Sequence, residues 1–266
     1  MKEALDVIIF FGVVIIITAL IGYIVIYGKE TYLRLRLTKM PDSRKLILGS
    51  EVRYYTNLSV DNKRLFESSV ERFLKNCKFT GVDTSITEKD RVLVAASAII
   101  PVFAYPDWKY SVLNEVIIYP DNFNEEFETT GPDRYFRGLV GFGHLEGKLL
   151  VSRTALYEGF DDFSDARNTC IHEFIHLIDK EDGKVDGIPK KLLENKYIIP
   201  WMFIMNQEMR NIKDGKSDIH PYATKNSAEF FSVCCEYFFE RPDDFRKNHP
   251  ELYRVLVNIF EQSASK

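Results

Sequence analysis

Apolar residues run without a charge from Val7 to Tyr27, 21 positions. At 1.5 Å per residue a helix of that length spans about 31 Å, the thickness of bilayer hydrocarbon. The run is rich in Ile, Val and Phe and is interrupted only by Gly12, Thr18, Gly22 and Tyr23. A cleavable signal would start basic, carry a shorter apolar core and leave through small residues. Here the start is Met1-Lys2-Glu3 and the exit Tyr27-Gly28-Lys29. The pattern predicts a retained transmembrane helix over residues 1–28. Only Lys2 precedes it, whereas Lys29, Arg34, Arg36, Lys39, Arg44 and Lys45 follow. The positive-inside rule therefore places the C-terminal side in the cytoplasm, as a single-pass protein of the cell membrane. The same basic run suits anionic headgroups. Residues 29–50 read as a basic juxtamembrane linker and 51–266 as the folded domain.

Beyond residue 50 the pattern alternates between the periods of helix and strand. Within Asp61–Cys77, Leu65, Phe66, Val70, Phe73 and Leu74 fall on one helical face. Thr87 followed by Asp90 has the form of an N-cap with an acidic third position, opening a helix through Val92–Ala98. Val116–Tyr119 reads as a short strand stopped by Pro120. Asp121–Arg134 is polar and acidic, a surface loop. Leu139–Phe142 and Lys148–Ser152 read as two strands turning at Leu145-Glu146-Gly147. A helix opening near Asp162–Asp165 follows and closes over Asp179–Gly183, with Gly183 as left-handed cap. Lys190–Ile212 is amphipathic and partly helical, Asp218–Ala223 a loop, and Ser227–Glu240 and Pro250–Glu261 two further helices. The sum is an α+β domain without internal repeats.

Composition narrows the function classes. With 266 residues, 45% hydrophobic and 28% charged, the chain is ordinary globular protein of one large or two small domains. A net charge of −4 gives no sign of a nucleic-acid surface. Cys77, Cys170, Cys234 and Cys235 form no C-x-x-C pair and no disulfide-like framework. They read as small core residues of a reducing compartment.

The chemistry is concentrated in Cys170-Ile171-His172-Glu173-Phe174-Ile175-His176-Leu177-Ile178-Asp179. Residues four apart share a helix face, so His172 and His176 can offer two ring nitrogens to one metal. Glu173 beside them can take a proton from water in an open coordination position, the arrangement of a zinc hydrolase. Apolar residues fill the gaps, which predicts a buried helix and hence two buried histidines in need of partners. The strand preceding this helix is well placed to run beside an extended peptide.

A third ligand is required. Asp179, Glu229, Glu236, His220 and a cysteine are candidates. Asp179 lies on the face of His176 but close to that ligand's own backbone, which suits hydrogen-bonding support better than ligation. Glu229 and Glu236 are seven apart on an otherwise apolar helix, so they share a face. Buried acids need a cation or a donor. One is then a ligand and the other a supporting group, and periodicity does not choose between them.

Several separated segments together resemble the Mlc titration factor A family of zinc peptidases, over residues from about 45 to 258. They are Val92–Ala98, Ile118-Tyr119-Pro120, Leu150-Val151-Ser152, Arg167–Asp179 with Glu181-Asp182-Gly183 and Asp186–Pro189, Pro221-Tyr222-Ala223, Ala228–Val233 and Glu236–Phe239. The resemblance implies a gluzincin-like, zincin-type metallopeptidase domain similar to the catalytic domain of anthrax lethal factor. It implies one zinc ion per chain on His172, His176 and Glu229, with Glu173 as general base and Tyr222 as the catalytic hydroxyl. Asp179 and Glu236 are left as supporting acids. This sequence departs from the family in its anchor and in having Ser152-Arg153 where Ser-Trp is usual. The expected activity is hydrolysis of peptide or protein substrates by a membrane-anchored enzyme. The alternative is a docking protein that captures a transcriptional regulator at the membrane.

Overall fold

The computed structural model describes residues 14–18, 37–162 and 165–262. The chain divides into two compact units, Met1–Lys39 and Met40–Lys266. In the first, residues 14–18 are helical with exposed side chains. The rest of the expected transmembrane helix lies outside the described residues, among which no helix is long and apolar enough to cross a membrane.

The second unit begins earlier than the sequence pattern placed it. The helix α1 (Asp42–Glu51) occupies what read as linker. Met40 and Leu48 are sealed in the core, so the linker reading fails over this stretch. A one-turn helix α2 (Arg53–Thr56) follows, then α3 (Val60–Asn76), capped by Ser59 accepting the Asn62 amide at 3.3 Å. In α4 (Glu88–Ile99) the expected capping box is complete: Thr87 and Asp90 each accept the other's backbone amide. Every residue from Val92 to Ile99 is buried, so α4 runs through the interior.

The sheet has strands β1 (Lys78–Gly81), β2 (Glu115–Tyr119), β3 (Gly138–Val140) and β4 (Lys148–Ser152) in the order β1-β2-β4-β3. The first three in that order are parallel and β3 is antiparallel to β4. The strand nearest in sequence to the histidine helix, β4, is thus paired on both sides. The edge strands are β1 and β3, and β3 is the one against which Glu173 lies. The Ser152 amide donates to Arg137 O and the Gly141 amide to Lys148 O, so alternation turns the main-chain groups of Gly138 and Val140 away from β4.

The helix α5 (Arg153–Asp161) was not anticipated. Its Arg153, the departure from the family pattern, donates to both oxygens of fully buried Asp90 at 3.0 and 2.8 Å and to Thr84 Oγ1 and Ser85 O. It thereby pins α5 to the cap of α4. The histidine helix α6 (Thr169–Asp179) opens several residues later than expected. Ala166 adopts a left-handed φ of 57°, which interrupts any helix through it, and Asn168 then caps α6 by accepting the Ile171 amide at 3.0 Å.

After α6 a 3-10 turn ends at Gly183, left-handed as expected. In α7 (Asn195–Lys213), buried Trp201 donates Nε1–H to Gly187 O at 2.7 Å. Its ring packs against Phe230 and Phe231 of α8 (Ser227–Glu240), which is buried from Ala228 to Glu240. The helices α9 (Pro242–Asn248) and α10 (Pro250–Phe260) close the unit.

Glu240 ends α8 in an unusual state. Its Oε1 accepts from Asn168 Nδ2 at 3.2 Å, while Oε2 is buried without a partner among the described residues. Burial lifts its carboxyl from 4.5 to about 8. The folded chain therefore retains a proton that the unfolded chain releases above pH 4.5, and stability falls as pH rises from there to about 8. Glu240→Gln keeps the contact to Asn168 and removes that dependence. Urea unfolding is expected to find the variant equal to the parent near pH 5 and more stable at pH 8; equal stability at both would show that Glu240 ionises freely.

Candidate metal centre and active site

Two central helices supply the site. On α6, the four-residue spacing places the His172 and His176 rings together, centroids 4.7 Å apart and nearly perpendicular. Their Nε2 atoms lie 3.1 Å from each other. From α8, Glu229 Oε2 reaches both, at 2.9 Å from His172 and 3.3 Å from His176. Asn226 caps α8 by accepting the Glu229 amide at 2.9 Å, which sets that side chain in the first turn, facing α6.

The opposite ring nitrogens have separate partners. His172 Nδ1 lies 2.7 Å from Glu236 Oε1, and since a carboxylate only accepts, Nδ1 carries the proton. His176 Nδ1 faces Ser232 Oγ at 3.3 Å. When both rings carry their proton only on Nδ1, two nitrogen lone pairs and a carboxylate oxygen converge within about hydrogen-bond distance, with no donor between them. One cation relieves all three. His172, His176 and Glu229 form the metal-capable group among the described residues. Two imidazoles and a carboxylate, with a position left open, fit a zinc-type hydrolytic site.

Electrostatics favour positive charge at the same point. Burial works against a charged His172, yet Glu236, Glu229 and Glu173 outweigh it and hold its proton affinity up to about 10. Burial alone would raise the Glu229 carboxyl, but the two histidines hold it well below the usual carboxylate range.

Glu173 is 7% exposed, and burial raises its pKa against the pull of both histidines. It packs on the edge strand. A Cβ at Gly138 would come within 2.7 Å of Glu173 Cγ and 2.9 Å of Oε1, so only glycine lets the carboxylate lie against β3. Tyr222, in the 3-10 turn Pro221–Thr224, is 43% exposed and donates to Glu229 Oε1 at 3.1 Å. Its ring centroid is 6.2 Å from that of His172.

The structure thus brings together Glu173, Tyr222, His172, His176, Glu229 and Glu236. Asp179 is not held to either histidine ring. It is 1% exposed, and its Oδ2 accepts the Gly187 amide at 2.8 Å, anchoring the turn after α6. Burial lifts its carboxyl to about 6.

Three contributors were not singled out from sequence. Ser232 follows Glu229 by three residues and precedes Glu236 by four, so the shared face of the two acids pointed to it. Lys225, four residues before Glu229, bonds both Glu229 Oε1 and Tyr222 Oη. The Asn168 amide donates to Glu236 Oε2 at 2.7 Å and its side chain to Gly159 O at 2.7 Å, tying the start of α6 to the acid that orients His172.

The sequence profile of the glucose-regulated metallo-peptidase M90 family matches residues 28–261. The chain belongs to this family. Among curated proteins it is similar to the uncharacterized protein slr2042 of Synechocystis sp., 29% identical over 264 residues, covering 92% of this chain and 95% of that one. It is also similar to Mlc titration factor A of Salmonella arizonae, 26% identical over 227 residues, covering 79% of this chain and 87% of that one. The same protein of Salmonella paratyphi B matches at 26% identity, with 79% and 83% covered. The chain therefore shares its family with metallopeptidases, in agreement with the resemblance to the Mlc titration factor A family.

Proposed function

We propose that this M90 chain is a zinc-dependent peptidase, anchored by residues 1–28 and facing the cytoplasm. The reading rests on the convergence of His172 Nε2, His176 Nε2 and Glu229 Oε2 beside a buried carboxylate that is neither in the cluster nor held by a hydrogen bond among the described residues. Bound there, zinc supplies a Lewis acid that polarises a carbonyl and makes water more acidic.

The chain's own residues account for the remaining steps. An extended peptide pairs with the outward groups of Gly138 and Val140, which sets its scissile bond beside Glu173. Glu173 takes a proton from the attacking water and delivers it to the leaving amine. Its raised pKa suits a group that both accepts and returns a proton. Tyr222 leaves Glu229 and donates to the developing oxyanion. Glu236 holds His172 in the tautomer that presents Nε2.

The test is a peptide-library digest with the full-length protein, with and without chelator. Chelator-sensitive cleavage is expected, and absence of cleavage with metal present would sink the reading. Tyr222→Phe removes only the hydroxyl. It is expected to lower kcat about a hundredfold with KM nearly unchanged, since the interaction forms mainly in the transition state. Unchanged kcat would make Tyr222 a packing residue.

A second reading is kept because relatives carry the name Mlc titration factor A. In it the same fold is a docking surface that holds a transcriptional regulator at the membrane. It predicts binding that survives loss of Glu173.

A further inference from the structure

Three groups close a triangle on the outer side of the metal-capable cluster. Tyr222 Oη donates to Glu229 Oε1 at 3.1 Å. Lys225 Nζ donates to the same oxygen at 3.1 Å and to Tyr222 Oη at 2.9 Å. The ammonium also lies 4.9 Å from the centroid of the Tyr222 ring. The Lys225 side chain is 56% exposed, whereas that of Glu229 is 11% exposed. The two oxygens of Glu229 therefore face opposite ways: Oε2 toward the imidazoles, Oε1 toward Lys225 and Tyr222.

This division matters to a hydrolytic site. A carboxylate with both oxygens free can chelate a cation through both and fill the position that a catalytic centre leaves open. An oxygen already accepting from an ammonium is a poor second ligand. Tyr222 cannot supply that restraint throughout, because it must swing away to reach a substrate oxyanion. Lys225 can, since an ammonium has three donors and loses only one acceptor when Tyr222 departs.

We infer that Lys225 is a positioning residue: it holds Glu229 to a single ligating oxygen and keeps the outer oxygen occupied when Tyr222 turns toward substrate. The inference rests on the metallopeptidase reading above and adds to it a residue that acts only through Glu229 and Tyr222.

The test uses the full-length protein, Tyr222→Phe, and Lys225→Met and Lys225→Arg each alone and combined with Tyr222→Phe, loaded with cobalt(II) as the probe. Four-coordinate cobalt absorbs visible light far more strongly than five-coordinate cobalt, so the intensity reads the number of ligating atoms without reference to turnover. The parent is expected to give the intense spectrum. With Tyr222→Phe as background, where no hydroxyl covers Oε1, Lys225→Met is expected to lose most of that intensity as Oε1 joins the cation, and Lys225→Arg to retain it. With a peptide that the parent cleaves, Lys225→Met should lower kcat about tenfold at nearly unchanged KM. Because Lys225 is largely exposed, a role in folding alone would move neither quantity. If the parent binds cobalt and Lys225→Met combined with Tyr222→Phe still gives the parent's spectrum, the role of Lys225 is overturned while the metal site stands. If the parent binds no cobalt, the metal reading fails and the role of Lys225 falls with it.

Discussion

Replacing Glu173 by Gln is expected to leave fold and metal content unchanged and to remove nearly all turnover. The substitution is nearly isosteric, and the tight contact with Gly138 is kept because the side chain keeps its length. Glu173 stands outside the metal-capable group, so metal binding does not depend on its charge. What is lost is the capacity to accept a proton, for which general acid–base catalysis commonly accounts for about 10²–10⁴-fold in rate. Neutralising a buried acid also relieves part of its desolvation cost, so thermal stability should hold or rise. The measurement pairs kinetics on one cleaved peptide with metal analysis of the same samples. Full activity in Glu173→Gln would remove the peptidase mechanism and leave the docking reading as the better one.

Glu229→Ala is expected to lower metal occupancy far more than Glu236→Ala. The two carboxylates occupy opposite sides of the same ring: Glu229 lies at His172 Nε2 and Glu236 at His172 Nδ1. Removing the first takes away an atom of the cluster. Removing the second loosens ring orientation and tautomer, an effect that typically costs about 10–100-fold in affinity. In Glu229→Ala, Lys225 and Tyr222 are exposed enough to be hydrated, while His172 keeps Glu236 and His176 keeps Ser232, so unfolding should not obscure the result. Metal titration of both variants decides. A greater loss in Glu236→Ala would mean that the acids have exchanged roles.

Much of this arrangement was legible because its signals are local. The pairing of His172 with His176 follows from four-residue spacing, and the Thr87–Asp90 cap from three-residue spacing. Spacing did not choose between Glu229 and Glu236, because seven residues return a helix to the same face, and only the family resemblance named Glu229. Only the approach of α8 to α6 separates a carboxylate at Nε2 from one at Nδ1. Asp179 shows the converse: its place on the face of His176 suggested support for that ring, but the Gly187 amide, brought in by the following turn, captures it. The start of α6 was misplaced because acidic residues near Asp162 resemble a first turn, whereas Ala166 and the Asn168 cap decide the boundary. The helix α5 escaped notice through Gly159, a poor helix former. A Cβ there would meet Asn168 at 2.9 Å, so packing on that cap requires glycine whatever its helix propensity. Helix α1 was hidden by its basic residues, which read as part of a membrane-proximal linker.

The two halves of the metal-capable cluster differ in how they come to exist. His172 and His176 are neighbours as soon as one turn of α6 forms. Glu229 lies 57 and 53 residues away along the chain from the two histidines and joins them only when α8 has docked on the core. Closing a loop of that length costs conformational entropy that local helix formation does not recover. A nascent or partly unfolded chain therefore holds the histidine pair without its third partner. On the proposed peptidase reading, hydrolytic capacity is withheld until the polypeptide is packed through α8.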